Sequence, residues 1–235
     1  MNICNIRCAE EVQSSLAART DWECVEISDC SDVPDQVWGQ KQLLQLLLVN
    51  GGFTCLSEQL GQLQALQVLE LFCCHQLTSP PACIGQLSAL TGLRAQWCSD
   101  LQQLPETIGQ LSNLRSLVVD CCDRLQQLPA SLGQLSKLQI LKVQSSSLKQ
   151  LPDTIARLSA LQELDVRAAS SLKRLSSSVG QLSSLRKLTV GECSGLQQLP
   201  ETIGKLSMLQ TLTVSWCRSL RQLPDTIGRL SALQA

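Results

Sequence analysis

The sequence predicts an α/β fold built as a solenoid: a curved right-handed array with a parallel β-sheet on its concave face and short helical or irregular turns on its convex face. Three observations predict it. The chain repeats itself with a period near 24 residues, each period opens with a short apolar–polar alternation, and each then carries proline and glycine at fixed places.

The period is plainest in two phrases, "CSDLQQLPETIGQLSNLRSLVVDCC" from Cys98 to Cys122 and "CSGLQQLPETIGKLSMLQTLTVSWC" from Cys193 to Cys217, each closed by a cysteine 24 residues after the one that opens it. Self-similarity at a fixed spacing marks an array of stacked supersecondary units. With the leucine of each L-x-x-L-x-[LV] segment as anchor, units start at 66, 90, 114, 138, 161, 185 and 209, and a truncated eleventh starts at 233. Weaker copies starting at 1, 22 and 43 extend the register through Cys4 and Ile6, Val25 and Ile27, and Leu46 and Leu48. Residues 1–235 therefore read as a single domain of ten units and a stub.

Each unit opens with a strand. In "SLVVDCC", Leu117 and Val119 point one way while Ser116, Val118 and Asp120 point the other, the alternation of a half-buried strand. Strands joined by so long a return path run parallel, because a tight hairpin joins only antiparallel neighbours. At about 4.8 Å per strand, ten units make a bent rod about 45 Å along the stack.

The return path is written in "LPETIGQL". Proline pre-sets φ for the first position of a helical turn, where its missing N–H costs nothing. The acidic residue after it (Glu106, Asp153, Glu201, Asp225) suits the positive end of that turn. Gly85, Gly109, Gly133, Gly180, Gly204 and Gly228 are expected to supply the backbone conformation that bends the chain back.

Composition removes several functions. With 19 Lys and Arg against 20 Asp and Glu, no strong field draws the chain to nucleic acid or to an anionic membrane. The longest aliphatic stretch, "LLQLLLV" from Leu43 to Val49, is too short to cross a bilayer, and the N-terminus lacks an apolar h-region. The expectation is a cytoplasmic protein with neither nucleic acid nor membrane as partner.

Thirteen cysteines raise the question of disulfides. Six of them, Cys30, Cys74, Cys98, Cys122, Cys193 and Cys217, occupy the same offset, eight residues after the anchor, where Ser146 and Ala169 also stand. A thiol packs there as a small apolar group that meets neighbouring backbone. The slot accepts serine and alanine, the ends carry no dense cysteine caps and no N-x-[ST] sequon occurs, so the expectation is a structural column of free thiols in a reducing compartment. The rival is a thiol redox or metal-binding protein that uses this column. A metal site would centre on Cys73, Cys74 and His75, but no C-x-x-C pair, H-x-x-x-H motif or second histidine supports it, and neither metal nor other cofactor is expected.

Catalysis has little to work with. His75 is the single histidine and there is no tyrosine, which limits acid–base and Cys-His or Ser-His chemistry. No G-x-x-x-x-G-K or G-x-G-x-x-G segment is present to cradle phosphate. The expected class is a non-enzymatic binding module without catalytic residues.

Recognition then falls to positions that vary between units while the apolar ones barely change, namely offsets 2, 4, 6 and 7 on the face away from the core. The protein-binding candidates are Glu70, Phe72, Arg94, Gln96, Trp97, Asp120, Lys142, Gln144, Asp165, Arg167 and Trp216. Exposed aromatics beside an arginine have the character of interface anchors. The plainer reading is that each tryptophan covers the rim of its own loop.

The wording of the repeats, "L-x-x-L-x-V-x-x-C-x-x-L-Q-Q-L-P-x-x-I-G-x-L-s-x-L", is a leucine-rich repeat signature, and it closely resembles the repeats of plant intracellular nucleotide-binding immune (disease resistance) receptors. The resemblance implies a recognition or regulatory arm that binds a protein ligand on its concave face or restrains a nucleotide-binding domain of the same longer polypeptide. The nucleotide-binding and signalling regions of that family are absent from the sequence, and standalone scaffolds or adaptors also use such repeats. Leu233 opens a strand that the sequence does not complete, which suggests a fragment of a longer protein.

Overall fold

The computed structural model describes residues 2–7 and 21–234. Met1, the return path of the first unit and Ala235 lie outside the described residues. Ten strands follow one another: β1 (Ile3–Arg7), β2 (Cys24–Ser28), β3 (Gln45–Val49), β4 (Val68–Phe72), β5 (Gly92–Gln96), β6 (Ser116–Asp120), β7 (Ile140–Gln144), β8 (Glu163–Arg167), β9 (Lys187–Gly191) and β10 (Thr211–Ser215). They form one parallel sheet in sequence order. Equivalent offsets pair throughout; Leu69, Leu93 and Leu117, for example, stand directly opposite one another. The alternation seen in the sequence becomes an alternation of burial, with Leu117 and Val119 fully buried and Ser116, Val118 and Asp120 half-buried on the open face.

Most return paths make one 3₁₀ turn, as at Glu106–Gln110 or Glu201–Lys205, while Asp35–Trp38 is a short α-turn. Threonine ties successive turns together. Thr107 Oγ1 donates to the Ala82 carbonyl and Thr154 Oγ1 to the Ala130 carbonyl, both at 2.7 Å. Glu106 caps the turn of the next unit, accepting from the Ser131 N–H at 2.9 Å and the Ala130 N–H at 3.2 Å. Those hydrogen bonds hold its carboxyl below its ordinary pKa, although partial burial opposes them.

The glycines act differently from the sequence expectation. None of the described glycines has positive φ. They are required by closeness: a Cβ on Gly85 would lie 2.5 Å from the Thr107 carbonyl oxygen, and one on Gly109 would lie 2.6 Å from that of Ser131. Gly228, in the last turn, has nothing within 4 Å of such an atom.

The bend is made instead just after the strands. Asp29, Asn50, Cys73, Trp97, Cys121, Ala168, Glu192 and Trp216, one per unit at offset 7, all take a left-handed φ between 49° and 59°. The N–H groups of Asp29, Asn50, Cys73, Trp97, Ala168 and Glu192 continue the sheet ladder, that of Trp97 donating to the Asp120 carbonyl at 2.9 Å, while beside β7 the Cys122 N–H takes this part, donating to the Gln144 carbonyl at 3.2 Å. The unit starting at 138 lacks this residue, which accounts for its spacing of 23 to the next anchor. In that unit Ser145, not Ser146, fills the cysteine slot. It is fully buried and donates to the Leu125 carbonyl at 2.8 Å.

Candidate functional site

The cysteine column runs behind the sheet. Each thiol donates towards two carbonyls, one two residues back and one on the preceding strand. For Cys98 these are Gln96 at 3.6 Å and Leu71 at 3.7 Å; for Cys122, Asp120 at 3.4 Å and Ala95 at 3.6 Å; for Cys193, Gly191 at 3.3 Å and Val166 at 3.7 Å. Cys74 and Cys217 repeat the pattern, and Cys30 keeps the bond to the Ser28 carbonyl. The thiol thus adds a second donor at strand-end carbonyls that already accept from backbone, as the Gln96 carbonyl does from the Cys73 N–H and the Asp120 carbonyl from the Trp97 N–H.

Three of these thiols, Cys74, Cys98 and Cys193, are held in their protonated form. The neighbouring Cys122 thiol, with burial, pushes Cys98 up to about 12 even though its hydrogen bonds to Cys74 pull the other way. Burial pushes Cys193 up to about 11. Cys74, against Cys98 and buried, is also raised. The thiolate is the reactive form, so this environment suits packing rather than redox or metal chemistry. Among the described residues no group of three His, Cys, Asp or Glu side chains is placed to hold a metal ion, and no helix is long and apolar enough to cross a membrane.

On the open face, the sheet register gathers most of the candidate residues. Arg94, Gln96, Asp120, Lys142, Gln144, Asp165 and Arg167 line one shallow groove of about 400 Å³, whose floor is Val118 and Ile140. Arg94 Nη1 pairs with Glu70 Oε1 at 3.3 Å, and Arg167 Nε with Asp165 Oδ1 at 2.8 Å. Asp165 is thereby covered, at 6% exposure, and contributes no free surface. Gln96 Nε2 donates to Asp120 Oδ2 at 3.4 Å, and Gln144 Nε2 donates to the Cys121 sulfur at 3.3 Å.

Two participants were not among the sequence candidates. Glu163 and Lys187 sit at offset 2, and Glu163 Oε1 lies 3.1 Å from both Lys142 Nζ and Lys187 Nζ. Burial pushes the Glu163 carboxyl up, but the two lysines outweigh it and hold the group below its ordinary pKa. The missed signal was charge alternation between adjacent units, Lys142 to Glu163 to Lys187, which appears only when units are laid side by side.

The aromatics stand apart from the groove. Phe72 ends β4, Trp97 occupies the left-handed position after β5 and Trp216 the same position after β10. Trp97 is 52% exposed and Trp216 74%, so both stand on the rim above the C-terminal ends of the strands rather than on the sheet itself. Trp216 borders a separate hollow with Glu192, Ser194 and Arg218.

A family profile described as "Leucine-rich repeat region" matches residues 97–197. The structure of the leucine-rich repeat domain of the type III effector XopL superposes with a TM-score of 0.86 at 28% identity, covering 94% of this chain and 79% of that one. The fold is a leucine-rich repeat solenoid. The Arabidopsis receptor kinase HAESA, solved with the peptide hormone IDA and a co-receptor, superposes with a TM-score of 0.59 at 19% identity, covering 90% of this chain and 37% of that one, and so shares the fold. No curated protein matches the sequence. The leucine-rich repeat thus supplies the scaffold, and its concave sheet and rim supply the variable surface.

Proposed function

We propose that this leucine-rich repeat chain is a non-enzymatic protein-recognition module of the cytoplasm, whose ligand lies across the concave sheet between Phe72 and Arg167. One observation carries the reading: half-exposed charged side chains are held by ion pairs around an aliphatic floor, with exposed aromatics at the rim. Preordered charges beside large aromatic groups favour a protein partner, because they bind without first losing side-chain freedom. The binding of a peptide hormone and co-receptor by HAESA is a precedent for this fold as a protein-binding surface.

The repeat wording supports a finer assignment, the recognition or regulatory arm of an immune-receptor-like protein, in which a nucleotide-binding domain of the same polypeptide is a second partner. The likeness to the XopL repeat domain supports another context, the leucine-rich repeat domain of an effector. Sequencing the full locus separates them, since an upstream phosphate-binding loop belongs only to the first. The surface itself is tested by capturing and cross-linking partners on the wild-type chain, then repeating the capture with Arg94→Ala and Trp97→Ala. The reading expects both variants to lose the partner; undiminished capture by both would remove the ligand from this face.

A further inference from the structure

The middle row of the concave sheet has a charge order with a centre. In direct register across β4 to β8 stand Glu70, Arg94, Val118, Lys142 and Asp165: acid, base, aliphatic, base, acid. Each base is paired on its far side from Val118, Arg94 with Glu70 at 3.3 Å and Lys142 with Glu163 at 3.1 Å. Val118 therefore lies half-buried between two oriented cations whose side chains remain 51% and 40% exposed.

Along the row itself the charge nearest Val118 is positive on both sides, while Asp120 lies two residues further along β6. Lys142 and Lys187 share the single carboxylate of Glu163, and Asp165 is occupied by Arg167. A group resting on Val118 is about one strand spacing, ~4.8 Å, from the rows that carry Arg94 and Lys142, within reach of both long side chains.

We infer that this position takes the carboxylate of an acidic side chain on a protein partner. Its methylenes rest on Val118 and Ile140 and its oxygens accept from Arg94 and Lys142. A guanidinium fork suits a carboxylate, and the apolar floor suits the methylenes. Asp120, two residues further along β6, lines the same groove and gives the slot a direction. The partner group beyond the carboxylate, towards the ends of the strands, is neutral or cationic. A dianionic phosphate fits less well between Asp120 and the acids that flank the row. This assignment rests on the protein-binding reading above and narrows it to one chemistry.

The test selects a random peptide library displayed on phage against the full chain, with the Val118→Trp variant as counter-selection because it fills the groove. The consensus peptide is then synthesised as acid and as amide, with its Asp or Glu changed to Asn or Gln. The expected result is enrichment of Asp or Glu at one position and about tenfold weaker binding of the amide form, by fluorescence anisotropy. Arg94→Gln and Lys142→Gln should each weaken the acid peptide about tenfold and leave the amide peptide unchanged, a coupling that a double-mutant cycle isolates.

Acid and amide peptides that bind within about twofold of each other, neither coupled to the two cations, would overturn the inference. If such peptides are still lost on Val118→Trp, the concave-face reading survives; if they ignore Val118→Trp, that reading falls as well. Failure to select any peptide over the counter-selection also counts against the slot, since its cations are preordered.

Discussion

Gly85 and Thr107 meet with no room for a methyl group, since a Cβ on the glycine would stand 2.5 Å from the threonine carbonyl oxygen. The obstacle is backbone, so it cannot rotate away. Gly85→Ala should therefore push neighbouring units apart and cost about 1–3 kcal/mol, as overpacking does. Gly228→Ala, with nothing within 4 Å, should be neutral or stabilise by about 0.4–1 kcal/mol through the unfolded chain. Urea unfolding followed by circular dichroism compares the two, and equal midpoints would refute the interlock.

The column of thiols predicts a division of reactivity. Cys55 is exposed, whereas Cys74, Cys98 and Cys193 are buried with raised pKa values. A thiol-reactive dye at pH 8 should label Cys55 quickly and reach these three only when the chain unfolds, as peptide mapping of the labelled sites will show. Rapid native labelling at Cys98 would favour the redox alternative.

The same column makes stability fall in alkali. The Cys98 thiol ionises near 9.0 when unperturbed but only at about 12 in the fold, so the folded state holds its proton more tightly. Its contribution is fully present below pH 9 and is lost as pH rises towards 12. Wild-type unfolding midpoints should decline through that window, and Cys98→Ala, with no thiol to ionise, should decline less steeply while starting from a lower midpoint because the Leu71 and Gln96 carbonyls lose the thiol's hydrogen bonds.

Glu163 predicts the opposite dependence in acid. Its folded pKa lies below the ordinary 4.5, so its stabilisation is present above that value and fades as pH falls through the lower folded one. Both lysine partners are about half exposed, which limits the effect to under about 1 kcal/mol. Glu163→Gln should lose that amount at pH 7 and show a flatter acid limb; an unchanged acid limb would mean that the lysines do not hold it.

Period, strands and the side of the sheet each residue faces were legible in the sequence because they depend on local alternation and spacing. Trp97 and Trp216 were legible as exposed aromatics for the same reason. Contacts between units were not. The role of Gly85 depends on Thr107, that of Glu106 on Ala130 and Ser131, and that of Glu163 on Lys142 and Lys187, each about one period away and on another strand or turn. The shift from Ser146 to Ser145 was missed for a different reason: counting from the anchor hides a deletion inside the turn, which only the buried Leu148, one place early, gives away.

The rim tryptophans yield the last prediction. Left-handed backbone suits Asn and Asp, and Asn50 and Asp29 occupy it in earlier units, but a bulky aromatic there carries strain of about 1–2 kcal/mol. Trp216, at 74% exposure, recovers little of that through burial within the chain. Such a residue is explained if its ring is buried by a partner, since strain and exposed aromatic surface concentrate at binding positions. Trp216→Asn and Trp97→Asn should each leave thermal stability equal or raise it by up to about 1 kcal/mol. Both should also weaken partner capture. A variant that lost stability with capture intact would make the rings structural covers of their own loops.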